Sequence, residues 1–421
     1  MIARRVLVRI SSVAVLAMPQ LLSAQQLSGK LLERAIPSTG EKLPVIGLSF
    51  SNHPSCADHG ALKEVVKTFA DNGGRFIDLT LGNANNQKFH TTAATELGVA
   101  DKLFWSSTAF VPGPNGGGAA GVKTQIDSVL ARTKASRIDV AWATVAGPPE
   151  VLNALKEEKK AGRVRYIGVY TIVVKNQAAQ LEALMRNEPI DFIGVEYDIG
   201  NRFVEEKILP LALEKKIGVV AYFPFGNNGG VSCGALSLNL FARVGDRPLP
   251  AWAAEFDAKT WSHFFTKYVI SHPAITVARV GTTKPHHMLD NLGGGVGRLP
   301  DEATRKRMAD LIETFPAPEP PPPPPSALPG IAVATPILDR YVGEYRAASG
   351  FTAIFRREGE RLFVKPGNNP EAPLNARTET RFQDPRGPIF EFQLDAQGKV
   401  TGAILEQQGP QGTQKIPLER K

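Results

Sequence analysis

Asp78 closes the apolar run that opens RFIDLTLGNANNQ (75–87). A strand handing over to a loop is a place from which a carboxylate can orient a cation or move a proton. Other groups of the same reach are few. His53, Cys56 and His59 recur every third residue in NHPSCADH. That spacing suits a transition metal once a further ligand joins; read as a polar loop entering a helical turn, it holds none, and no metal site is assigned. Lys88 and His90 lie just beyond the Asp78 loop, as a candidate cation and a candidate orienting imidazole. Tyr170, Glu196 and Tyr197 end two further apolar runs. Glu196 is either a cleft carboxylate or an ordinary ion-paired rim residue.

These groups hang on a repeated pattern. Short apolar runs occupy 45–50, 75–80, 103–108, 137–144, 164–171, 191–197, 217–225 and 275–281. Most are apolar nearly throughout, as parallel strands covered on both faces are. Between them, ALKEVVKTFADNG, TQIDSVLARTKAS and EVLNALKEEKKAG carry apolar residues at helical spacing and end in small or polar residues. Eight strand–helix units over about 270 residues predict a TIM barrel, whose active sites lie where the strands end. A doubly wound open sheet is the alternative, but no GxGxxG follows the first strand.

Five barrel segments, in order, resemble the aldo/keto reductase family. They are GRFID (74–78), QIDSVLARTKASRIDV (125–140), GRVRYIGV (162–169), AYFPFG (221–226) and SHPAITVARVGTTKPHHMLDNL (271–292). The resemblance implies hydride transfer from NADPH to a carbonyl carbon, with a tyrosine protonating the oxygen. A lysine lowers that tyrosine's pKa, an aspartate holds the lysine, and a histidine orients the substrate. Asp78 matches the aspartate. Asn83 stands at the tyrosine position, Thr108 at the lysine and Thr144 at the histidine. Neither Asn nor Thr titrates near neutral pH, so the expectation is a degenerate tetrad.

The cofactor positions implied by the same resemblance are mixed. Tyr222 matches the aromatic that stacks on nicotinamide. Thr282, Asp290 and Asn291 match the residues that hold the adenine ribose and phosphate, and Lys284 with His287 adds charge beside a helix N-terminus. Tyr170-Thr171 replaces the family's Ser-Asn, and Gly194 its glutamine. NADP is therefore an expected cofactor on one side of the site only.

The 421-residue chain is 43% hydrophobic and 21% charged, a globular composition long enough for two domains. Residues 1–24 pair three arginines with an apolar run ending at Ala24, the layout of a signal peptide, with Arg4-Arg5 resembling a twin-arginine signal. The expectation is export, to a periplasmic location. Without Arg4, Arg5 and Arg9 the formal charge of +8 falls to +5, and no basic stripe interleaved with aromatics points to nucleic acid. Cys56 and Cys233 leave room for one disulfide at most.

The expected domains are the barrel over 25–315, a proline-rich linker over 316–330, and a small antiparallel β domain over 331–421. Six consecutive prolines favour an extended rod. After it, FTAIFRREGERLFVKPG and IFEFQLDAQGKVTGAILEQQG read as hairpins, with no helical stretch of useful length. LDRYVGEYR (338–346) and GKVTGAILEQQG (398–409) resemble a β-barrel domain appended to exported serine hydrolases of the beta-lactamase type, which implies assembly, here as a homo-oligomer. The function expected is thus an exported, reductase-like module that binds a small molecule or runs altered chemistry. The alternatives are an NADP-dependent oxidoreductase using substitute groups and a metal-assisted hydrolase or lyase built on the loop after the first strand.

Overall fold

The computed structural model describes residues 26–49, 59–79, 84–109, 118–226, 239–316, 330–367, 371–385, 387–409 and 412–421. The expected leader, nearly all of the proline segment, and His53, Cys56, Asn83 and Cys233 lie outside them. The chain divides into two compact units, Met1–Pro318 and Glu319–Lys421.

The first unit is a closed parallel barrel preceded by a hairpin. The hairpin pairs β1 (Glu33–Ala35) with β2 (Lys42–Pro44). Eight strands follow: β3 (Ile46–Ser49), β4 (Phe76–Asp78), β5 (Phe104–Thr108), β6 (Ile138–Thr144), β7 (Val164–Thr171), β8 (Phe192–Glu196), β9 (Gly218–Tyr222) and β10 (Ile275–Val280). They pair in sequence order, and β10 returns to β3 to close the ring. Each falls inside one of the eight apolar runs. The three helical patterns appear as helices His59–Asp71, Gly118–Thr133 and Pro149–Lys160.

Side chains alternate between the barrel interior and the helical layer outside. The interior cluster holds Phe76, Phe104, Val140, Trp142, Tyr166, Phe192, Val220, Tyr222 and Val277. Ile36 and Leu43 of the hairpin belong to it, so the hairpin plugs the N-terminal end. The periodicity of the eight runs contained no sign of this plug. Large rings fit a narrow barrel only where a neighbouring strand gives up its side chain. A Cβ on Gly168 would lie 2.2 Å from Trp142, and one on Gly194 would lie 2.5 Å from the Tyr222 hydroxyl.

The second unit is a nine-stranded antiparallel sheet over β11–β19, from Gly343–Arg346 to Gly412–Arg420. The expected hairpins form: Thr352–Glu358 pairs with Arg361–Pro366, and Ile389–Leu394 with Val400–Gly409. The edge strands, Ala372–Pro373 and Asn375–Ala376, are separated in the chain by Leu374 alone, so the sheet curls back on itself. Its core stacks Tyr341 on Phe392, ring centroids 4.0 Å apart, beside Tyr345, Phe355 and Phe390. One feature departs from the all-strand reading. Thr335–Tyr341 is a short helix, started by Pro336, whose fixed φ suits a first helical turn.

Candidate functional site

Asp78, the last residue of β4, points into the barrel and is 1% exposed. Its Oδ1 accepts a hydrogen bond from Ser106 Oγ of β5 at 2.7 Å, and Trp142 Nε1 of β6 donates to the same hydroxyl at 2.6 Å. Its Oδ2 is ion-paired with Arg279 Nη1, from β10 on the far side of the ring closure. Arg279 is 3% exposed and lies over Tyr222, its Cζ 3.9 Å from the ring centroid. The aspartate therefore has a cation, and it is an arginine from the eighth barrel strand. The family's tetrad positions do not supply that cation. The available signal was a charged residue in ITVARVG, two positions from inward Val277.

Of the other positions matched to the tetrad, Thr108 and Thr144 lie among the described residues. Thr108 is buried, and its Oγ1 lies 3.5 Å from the Tyr170 hydroxyl. Thr144 is half-buried at the end of β6. Burial raises the pKa of the Tyr170 phenol; the Thr108 hydrogen bond works against this, Asp78's charge adds to it and Arg279's opposes it. Lys88 is exposed and His90 buried on helix Ala84–Glu96. Glu196 is half-buried opposite Tyr222. Tyr197, though next in sequence, faces the helical layer and joins a network with Glu205 and Arg305, whose Nη2 donates to its hydroxyl at 2.7 Å. It is a structural residue rather than a mouth residue, because side chains alternate along a strand.

Four of the positions expected to hold a dinucleotide line a cleft of about 440 Å³ at the barrel mouth. Thr282, His287, Asp290 and Asn291 lie along it, with Ser49 and Arg279, and Phe223, Phe225 and Phe241 form an aromatic wall. Several of these groups are already engaged. Asn291 Oδ1 accepts from Ser262 Oγ at 2.7 Å. Thr282 Oγ1 accepts from the Lys284 backbone N–H at 3.1 Å. Asp290 accepts from Thr260 Oγ1 and contacts His263 Nε2 at 3.2 Å. His263 Nδ1 itself accepts from Lys259 N, so its Nε2 carries the proton that faces Asp290. Burial raises the pKa of Asp290, but the bonds from His263 and Thr260 outweigh it and hold the carboxyl low. Burial, with His286 and Lys284 adding, holds His287 below the usual imidazole range. Lys284 is exposed at the start of helix Pro285–Gly293. Tyr222 converges on none of this: it is fully buried, with Arg279 over one face.

A family model described as the aldo/keto reductase family matches residues 47–306, more than half of the chain. The chain belongs to the aldo/keto reductase family. Solved family members share the barrel at low identity. An aldo-keto reductase, AKR11C1, from Bacillus halodurans in its holo form is 16% identical, with a TM-score of 0.52 over 67% of this chain and 96% of that one. The thermostable aldo-keto reductase Tm1743, solved with the inhibitor epalrestat, is 20% identical, with a TM-score of 0.52 over 67% of this chain and all of that one. An aldo/keto reductase from Klebsiella pneumoniae, solved with NADP and acetate, is 17% identical, with a TM-score of 0.51 over 67% of this chain and 94% of that one. At these identities the likeness to solved members is one of fold. The family match takes in all but the first residue of the eight barrel strands and stops short of the β domain.

Proposed function

We propose that this aldo/keto-reductase-family barrel binds a small molecule at its C-terminal mouth and does not carry out tyrosine-dependent carbonyl reduction. One observation carries the reading: Arg279 occupies both places that a reductase site needs, as the ion-pair partner of Asp78 and as the group lying on Tyr222. NADP fits half of the site. Thr282, Lys284 and the helix N-terminus at Pro285 suit a phosphate. At the other end, a nicotinamide has no open face on Tyr222, and Gly194 offers no side-chain amide, since its space is filled by the Tyr222 hydroxyl. No hydride step is therefore derived.

Export of the chain and assembly through the β domain belong to the same proposal, supported by residues 1–24 and by the compact second unit. NADPH titrated into the purified protein is expected to give no saturable fluorescence or thermal-shift response, and absorbance at 340 nm is expected to stay flat with a panel of aldehydes and ketones. Saturable binding with turnover would sink the proposal.

A second reading has an observation of its own. Tyr170 sits among Thr108, Asp78 and Arg279, so it is the phenol placed to protonate a carbonyl oxygen. Its burial-raised pKa makes it a weak acid, which places it second. NADPH turnover that disappears in Tyr170→Phe would establish it.

A further inference from the structure

We propose that the floor of the cleft is a seat for a carboxylate carried on an aromatic or apolar body, held by the unused edge of Arg279 together with Ser49. The inference deepens the ligand-binding reading above and rests on it.

Arg279 is almost wholly buried, yet it lines the cleft. Among the described residues, its side chain makes one hydrogen bond to the protein, through Nη1 to Asp78. Its π face lies on Tyr222. The N–H donors at Nε and Nη2 have no protein acceptor among the described residues. A guanidinium edge without a protein acceptor is open to a ligand, and a planar pair of oxygens satisfies such a fork better than one acceptor atom does. Asp78 does not compete for this edge, since its carboxylate sits on the Nη1 side and takes a second bond from Ser106. Ser49 ends β3 beside Asp78 and is buried on the same floor, where its hydroxyl adds a donor.

The wall selects the body of the ligand. Phe225 and Phe241 lie 5.1 Å apart, and Phe241 is 38% exposed, a large apolar area to leave in water beside a cleft. Phe223 adopts φ +55°, a left-handed conformation that a bulky residue rarely takes. The turn is closed by Gly226 N donating to Phe223 O at 2.8 Å, and it puts the Phe223 ring on the cleft within 5.8 Å of the Arg279 guanidinium. Strain kept at such a place accompanies sites where a side chain must be held against a ligand. The cleft volume is that of a small-molecule pocket.

Calorimetry on the full-length chain with 4-phenylbutyrate, its neutral amide 4-phenylbutyramide, and NADPH in parallel tests the seat. The acid is expected to bind saturably and at least tenfold more tightly than the amide. Arg279→Gln alone strands Asp78, so the preference is read in the paired variant Asp78→Asn/Arg279→Gln, where it should vanish. Ser49→Ala should weaken the acid severalfold, and Phe241→Ala should weaken acid and amide alike. Equal binding of acid and amide, or a preference that survives in the paired variant, overturns the seat. NADPH binding without acid binding overturns the seat, and NADPH binding with turnover of a carbonyl substrate overturns the reading beneath it as well. No binding of any probe overturns the seat alone.

Discussion

Asp78 and Arg279 stand 201 positions apart and form one buried pair at the centre of the barrel mouth. Removing one partner of such a pair leaves a charge out of water without its counter-charge, a loss of about 3–5 kcal/mol, whereas removing both is far milder. Arg279→Met should therefore lower stability in urea by about that amount, and Asp78→Asn/Arg279→Met should recover more than half of it. Additive effects in this cycle would show that the pair is not coupled. Gly194 offers a second test. Restoring the family's residue by Gly194→Gln places a Cβ 2.5 Å from the Tyr222 hydroxyl and 3.0 Å from Tyr170 Cβ. The variant should lose about 1–3 kcal/mol and gain no NADPH binding, because the ring cannot leave its place. A stable variant that binds NADPH would mean that Tyr222 swings aside.

At the scale of elements, β10 carries the arginine, and what holds β10 holds the site. Arg34 of the plug hairpin donates to the carbonyls of His272 and Ile275 at 2.6 and 2.7 Å, tying hairpin to strand. The His272 ring accepts from Ala274 N at 3.2 Å in the turn that leads into the strand. Burial first, then the charge of Arg305, lowers the His272 pKa to about 4. The folded form thus takes up its proton later than the unfolded chain does, so the unfolded state binds more protons between about pH 6.5 and pH 4. Stability should fall as pH drops through that window, by up to about 2 kcal/mol once partial exposure is allowed for. His272→Gln should flatten the slope in a series of urea melts from about pH 7 to pH 4. An unchanged slope would assign the acid lability elsewhere.

At the scale of the molecule, each of the two units has its own core, and neither depends on the other for its strands. The β domain hides its sheet edges by curling, with Leu374 N donating to Leu362 O at 2.8 Å where the two edge strands meet. Assembly through it would then use a face or a loop rather than strand addition, since open edges are what invite pairing. Multi-angle light scattering on the chain with and without residues 331–421 should show the full chain as an oligomer and the truncated barrel as a monomer. Identical states would remove the assembly role. Fractionation of expressing cells is expected to recover the chain in the periplasm without residues 1–24; full-length protein left in the cytoplasm would remove the export proposal.

The barrel was legible because its evidence is local. Each apolar run announces a strand covered on both faces, and eight of them separated by helical spacing admit few architectures. Asp78 could be read from its position at the end of a run, and Thr108 and Thr144 were singled out by the family resemblance. The hairpin plug could not be read, since its three-residue strands carry no periodicity to detect. Nor could the partner of Asp78. Arg279 looks like a misplaced charge in ITVARVG until ring closure sets β10 beside β3 and brings it to Asp78 across the interior. The same closure lays the guanidinium on Tyr222 and brings Arg279 to the cleft. Local patterning is written in neighbouring residues, while a buried ion pair depends on which distant strands share the barrel interior. The sequence determined the scaffold, and only the tertiary structure decided which groups meet inside it.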